Sequence, residues 1–419
     1  MTRPTAAPST AAARCPVPVR LPVARTTPFD PPEELGRLRA DDPLRPLVYP
    51  DGHVGWLVTS YALARDILAD SRFSARSELK RVPVRRPGAE PFIGEPALPG
   101  WFVDMDPPEH TRYRRLLAGQ FTLRRLTRLQ PEVDRIVADR LDALAAAGPP
   151  ADLVELFALP IPSLMICELL GVPYADRESF QRDSNALFSL KVTAREGAEA
   201  MDRLTGYLLE LVRRKRARPR DDLLSGLILS GGLGDAQIAG AGVLLLTAGH
   251  ETVASMLGLG TYALLSHPAQ KERLTAGAVQ ADVAVEELLR YLTIFQFGVP
   301  RSPLEDVELA GRTIRKGESV TVCLPAANRD PDRFELPDEL DLGRAARGHL
   351  AFGYGVHQCI GQNLARMELR TALPALLRRF PELEPAVPAH EIPLANDAGF
   401  YGVHRLPVRW QDRDAKRTG

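Results

Sequence analysis

Phe352-Gly353-Tyr354-Gly355-Val356-His357-Gln358-Cys359-Ile360-Gly361, continuing into Gln362-Asn363-Leu364-Ala365-Arg366, holds one cysteine between glycines on a turn that leads into an apolar helix. Glycines let the backbone take conformations closed to other residues, and they let something flat come close. A thiolate presented there is a good ligand for haem iron, because it pushes electron density onto the metal. A cysteine by itself is most often a small buried hydrophobe. The spacing of the phenylalanine, glycines and histidine around Cys359 turns the reading toward a cofactor.

The run resembles the haem-binding signature of the cytochrome P-450 superfamily, a phenylalanine-led, glycine-rich loop ending in cysteine and glycine. Phe352, Gly353, Gly355, His357, Cys359 and Gly361 fill its diagnostic positions, and Leu364-Ala365-Arg366 fits the continuation. The resemblance extends from about Phe29 to Val408, with Val253 and Gln358 as small departures. It implies the triangular P-450 haem fold as a single domain, mainly α with a small β part. It also implies haem b, with Cys359 as the ligand of the iron.

The rest of the chain is compatible with that expectation. At 419 residues it has room for one large domain, and its 45% hydrophobic and 25% charged composition is ordinary for a globular protein. Fifty-three basic and 53 acidic side chains cancel, so nothing global points to nucleic acid or a membrane surface. Cys15, Cys167, Cys323 and Cys359 are scattered and form no C-x-x-C pair, which disfavours a disulfide framework or zinc site and suits a reducing cytoplasm. Residues 1–24 lack an apolar h-region and read as a mobile tail. The haem domain is expected over 25–411 and a second tail over 412–419. Membrane-bound members of the superfamily carry an N-terminal anchor, so the resemblance implies the soluble bacterial type as the expectation.

Helical periodicity marks 61–69, 109–120, 131–147, 161–170, 198–216, 235–266, 279–291 and 363–379. Pro/Gly-rich stretches at 82–100 and 147–150 interrupt the helices. Strands are expected near 55–59 and over 307–322, the latter as a hairpin with turns at Gly311 and Lys316-Gly317. Residues 235–266, capped by Asp235 and stopped by Pro268, are apolar and long enough to raise the question of a membrane span. His250 and Glu251 in the middle argue instead for the central helix of a soluble protein.

Within that helix, Ala248-Gly249-His250-Glu251-Thr252 resembles the family's oxygen-binding groove. Ala248 and Gly249 lack bulk, so a flat macrocycle can pass beneath. A threonine hydroxyl can divert a backbone hydrogen bond and kink the helix. Thr252 and Glu251 are the expected managers of proton delivery, and His250 is expected to face away as a satisfied polar residue. Glu287 and Arg290, three residues apart on one helix face, match the family's structural ion pair, with Arg333 or Arg344 completing the network.

His110 and Arg114 follow a Pro-Pro helix start and share one face. With Arg301 and His357 they match the positions that the family uses to hold the haem propionates. By resemblance, substrate contacts come from 83–101, 180–192, Leu244, Leu245, Ala248, the turn at 293–299 (Thr293, Phe295, Phe297 and Val299), and Phe400. The loop wording and Tyr291-Leu292-Thr293-Ile294 resemble actinobacterial enzymes that tailor macrolides and other secondary metabolites. The implied activity is a cytoplasmic monooxygenase, a monomer that hydroxylates or epoxidises a lipophilic molecule. Electrons come from NAD(P)H through a ferredoxin reductase and an acidic ferredoxin, docking on the face of Arg112, Arg115, Arg124, Arg125 and Arg128. A peroxide-dependent enzyme of the same fold and a non-catalytic haem carrier are the alternatives. Glu251 and Thr252 count against both.

Overall fold

The computed structural model describes residues 17–88 and 93–411. Two helices form as read, Tyr61–Ala69 and Asp235–Ser266. Glu109–Ala118, Pro160–Leu170, Ala194–Ala217, Ala281–Leu292 and Gln362–Arg379 form close to their expected bounds. The helix expected from Pro131 begins earlier, at Leu123, because the Thr122 hydroxyl accepts the Arg125 N–H and caps it there. Pro131 lies inside it. Asp235 is not the cap of the long helix. Gly234 holds that place, its N–H donating to Gln237 Oε1 (3.0 Å), and Asp235 adds a carboxylate to the first turn. Pro268 opens the next helix, Pro268–Thr275, and the break falls at His267.

The long helix is the axis of the molecule. In its most apolar window 72% of the residues are buried by protein, so its hydrophobic length serves a core. Leu246, Leu257, Leu259 and Leu264 are wholly buried among neighbouring helices. Its approach to the 82–100 stretch is unusually close. A Cβ on Gly240 would lie 1.8 Å from the Pro99 carbonyl oxygen, so the loop rests directly on the helix backbone.

The β part lies to one side. Leu44–Val48, Val54–Val58, Val320–Val322, Val299–Pro303 and Phe73–Ser74 form one sheet in that order. Val54–Val58 and Val320–Val322 run parallel and the other pairs antiparallel. The hairpin expected over 307–322 is therefore shorter. Val307–Leu309 pairs with Arg312–Ile314 across Gly311, while Val320–Val322 leaves to join the larger sheet, where all three of its residues are buried.

The start of the chain also differs from expectation. Val19 accepts a hydrogen bond from the Val48 N–H (2.7 Å) and donates one to Pro46 (3.0 Å), and Leu21 is buried. Residues 17–24 thus belong to the domain. Residues 1–16 and 412–419 of the two expected tails lie outside the described residues.

Candidate active site

The cysteine loop is built against the helix Tyr61–Ala69. Gly355 has φ +74°, and a Cβ there would lie 2.3 Å from the Leu68 carbonyl oxygen. The loop closes where the Cys359 N–H donates to the Phe352 carbonyl (2.9 Å), and Gly361 then caps the helix Gln362–Arg379. Cys359 is solvent-accessible, and desolvation by the protein packed around it pushes its thiol upward. The backbone N–H groups of Gly361 and Gln362 and the charges of Arg114 and Arg366 oppose that rise. These groups favour the thiolate, but burial outweighs them and the thiol stays raised.

In the long helix, the Thr252 hydroxyl donates to the Ala248 carbonyl (2.9 Å), and the helix continues as α past it. Gly249 is bare for a different reason from the one expected. A Cβ would lie 2.8 Å from Ile166 Cδ1, so this glycine lets the helix Pro160–Leu170 approach. Glu251 has one carboxyl oxygen buried without a partner, and burial raises its pKa to about 8. His250 is fully buried, packs edge-on to Phe180 and pairs only through Nδ1, with the Leu246 carbonyl (2.9 Å). Its Nε2 has no partner, so it is half satisfied rather than satisfied.

The four cationic candidates converge. The His110 and His357 rings lie 4.1 Å apart. Burial, then Arg114, lowers His110 to about 4; burial, then Arg301, lowers His357 to about 2; burial lowers Arg301 to about 10. His110 Nδ1 is a buried polar atom without a partner. Mutual repulsion in a buried setting is what a paired anionic ligand would relieve. Lys80 adds to this field, held by Asp104 (2.5 Å), and sequence reasoning missed both because neither sits in a periodic segment.

Glu287 and Arg290 are fully buried and joined by two bonds of 2.7 and 2.8 Å. Arg344 completes the network at 3.1 Å from Glu287, while Arg333 turns to the Arg347 carbonyl. Thr293, expected among the substrate contacts, hydrogen-bonds into this network. It ends the helix at φ +31°, its hydroxyl meets the Arg290 carbonyl (2.7 Å), and Asn328 donates to it (2.8 Å). Asn328 in turn accepts the Leu350 N–H (2.7 Å) just ahead of the cysteine loop.

Of the expected pocket residues, Phe295 and Phe400 meet at 5.5 Å, joined by Phe188 at 4.8 Å from Phe400. Leu244 and Leu245 are buried in the long helix, and Val299 pairs with Val322 in the sheet. Phe297 does not join them. It packs against a separate cluster that includes Leu21, Leu35, Tyr49 and Cys323. The arginine face is uneven: Arg112 is bonded to the Gly232 carbonyl and Arg125 lies 3.6 Å from Asp221, leaving Arg115, Arg124 and Arg128 exposed and without an ion pair among the described residues.

The cytochrome P450 family model matches residues 100–398. Cytochrome P450 105C1 of a Streptomyces species is 48% identical over 94% of this chain and 99% of its own. The 20-oxo-5-O-mycaminosyltylactone 23-monooxygenase of Streptomyces fradiae is 42% identical over 93% and 92%. A crystal structure of CYP105P1 in complex with filipin I superimposes with a TM-score of 0.88 at 42% identity, covering 94% of this chain and 99% of that one.

Proposed function

Since the chain belongs to the cytochrome P450 family and is a monooxygenase, we propose that it oxidises a bulky lipophilic secondary metabolite of the macrolide or polyketide kind, by hydroxylation or epoxidation. The observation that carries the substrate reading is the wall of Phe188, Phe295 and Phe400, brought together from three separated segments. An apolar wall of this kind favours a large hydrophobic ligand with few polar anchors. The similarity to the Streptomyces fradiae monooxygenase and to the filipin I complex supports the same class.

The residues present fit a haem. Cys359 would bind its iron, and His110, Arg114, Arg301 and His357 would meet its propionates, supplying the unpartnered His110 Nδ1 with an acceptor. When bound, haem supplies the reductive activation of dioxygen. The chain supplies orientation and protons. Backbone N–H groups at Gly361 and Gln362 temper the thiolate charge. The Thr252 hydrogen points to Ala248, which leaves the lone pairs of Oγ1 free to accept a proton donor's bond. Glu251 holds a proton below about pH 8, because burial disfavours its charged form.

That sign gives a prediction. Coupling of NAD(P)H consumption to product is expected to decline as pH rises through about 8, as Glu251 loses its proton. Glu251→Gln should lower the coupled rate by roughly 10²-fold or more and remove this limb from the pH profile. A wild-type limb that persists unchanged in the variant would assign it to another group.

Electrons are proposed to arrive from NAD(P)H by a ferredoxin reductase and an acidic ferredoxin. Exposed Arg115, Arg124 and Arg128 offer it a cationic face. No disulfide joins the described cysteines, which supports a cytoplasmic location. The reading is tested by the spectrum of the reduced protein under carbon monoxide, followed by titration with macrolides. A long-wavelength Soret band and a substrate-induced shift are expected. Absence of the band removes the haem-thiolate reading, and shifts only with small aromatics remove the macrolide one.

A further inference from the structure

Phe352 opens the cysteine loop, and its carbonyl accepts the Cys359 N–H (2.9 Å). Two side chains lie near its ring. The Arg366 guanidinium sits 4.5 Å from the ring centroid, and the His349 ring lies 5.9 Å away. One carboxylate faces both, hydrogen-bonded to Arg366 and within ion-pair distance of His349. Glu286 Oε1 meets Arg366 Nε at 2.5 Å, and Oε2 lies 3.0 Å from Arg366 Nη2 and 3.2 Å from His349 Nε2. The Ala351 N–H donates to His349 Nδ1 (3.1 Å), which puts the proton of a neutral ring on Nε2, close to Glu286 but without a hydrogen bond to it. Glu286 and His349 are buried, and Arg366 is three-quarters so. Glu286 is the immediate neighbour of Glu287 in sequence, but its partners are different ones.

We infer that Glu286 is a positioning residue for the thiolate, holding Arg366 and His349 against Phe352 and so setting both the placement of the cysteine loop and the electric field at Cys359. This rests on the haem-thiolate reading above. The chain of contacts runs from the helix Ala281–Leu292 through Arg366 and Phe352 to the Cys359 N–H. Arg366 is also one of the cations that favour the charged form of Cys359. Glu286 neutralises that cation in place. The pair therefore acts as a balanced dipole beside the metal ligand, and its two ends should have opposite effects when removed.

The test is the midpoint reduction potential of purified holoenzyme. Reduction adds an electron beside Cys359, so unmasked positive charge favours it and unmasked negative charge opposes it. Glu286→Gln is expected to raise the potential and Arg366→Gln to lower it. Glu286→Asp, which keeps the charge, should return the value close to that of the parent. A groove lined by Asp282, Arg347, Arg366 and Arg370 opens onto the pair, so raising ionic strength should shrink the separation between the two variants. A merely structural clamp would loosen Phe352 in the same way from either end. Shifts of the same sign, or no shift in either variant, would overturn the inference. If Glu286→Gln does not fold, Arg366→Gln and Arg366→Lys decide it: the first must lower the potential and the second leave it near the parent value. The reduced carbon monoxide spectrum of the parent is the separate control. Its failure to show thiolate ligation would sink the family-based assignment of Cys359, whereas a normal parent spectrum with unmoved potentials sinks only the role of Glu286.

Discussion

Cys359→Ser is expected to abolish the long-wavelength Soret band of the reduced, carbon monoxide-treated protein and to reduce monooxygenase turnover to background, while the fold persists. Serine is nearly the same size, but its hydroxyl does not ionise in the range where a thiol does, and oxygen is a harder donor than sulfur. The local supports of Cys359 are built for a soft anion: the helix start at Gly361, the N–H groups of Gly361 and Gln362, and the nearby Arg114 and Arg366. None of these can make a neutral hydroxyl push electron density onto a metal. The same geometry predicts little loss of stability. Cys359 is exposed and belongs to none of the packed hydrophobic clusters, and its backbone bond to Phe352 does not involve the side chain. Unfolding of the haem-free variant should shift by no more than about 1 kcal/mol. A serine variant that kept the parent spectrum would assign the ligand elsewhere. One that failed to fold would show that the thiol has a packing role the structure does not display.

The parts of this architecture that could be read from the sequence are those whose cause is local. The long helix declares itself by an apolar run with a break at its end, and the cysteine loop by glycines whose positions are dictated within a few residues. What escaped reading depends on distant segments. Whether Arg333 or Arg344 meets Glu287 is decided by how the 330–345 stretch wraps back on the helix Ala281–Leu292, which no spacing encodes. Thr293 and Phe297 sit in one short turn, yet one caps a helix and the other packs against a separate cluster. Spacing within the turn gave no warning, because the segment is neither helix nor strand and follows no period. Gly249 looked like a gap left for a cofactor and proved to be a contact with Ile166. Val320–Val322 followed a hairpin in sequence but joined a strand more than 200 residues away, for which sequence periodicity is blind.

Arg290→Leu is expected to cost about 3–5 kcal/mol, the range for removing one partner of a buried ion pair. The estimate follows from what is left behind. Glu287 has no exposed surface, and without Arg290 its remaining charged partner is Arg344, which reaches only one of its oxygens. The carbonyls of Asn328 and Pro337 lose donors at the same time. Against a total stability of about 5–15 kcal/mol for a domain, that loss brings a large unfolded population. Glu287→Leu in the same chain should recover part of it, because replacing both charges by apolar groups avoids the stranded carboxylate. Recovery should be incomplete, since Asn328 anchors Thr293 and Leu350 on either side of the pair and its carbonyl still lacks a donor. A double-mutant cycle by denaturant unfolding of haem-free protein reads these terms directly. A single-mutant cost below about 1 kcal/mol would mean that water reaches Glu287. Haem retention should fall in parallel with stability, because the Asn328 side chain that links this network to Leu350 fixes the backbone immediately before Phe352 and the cysteine loop.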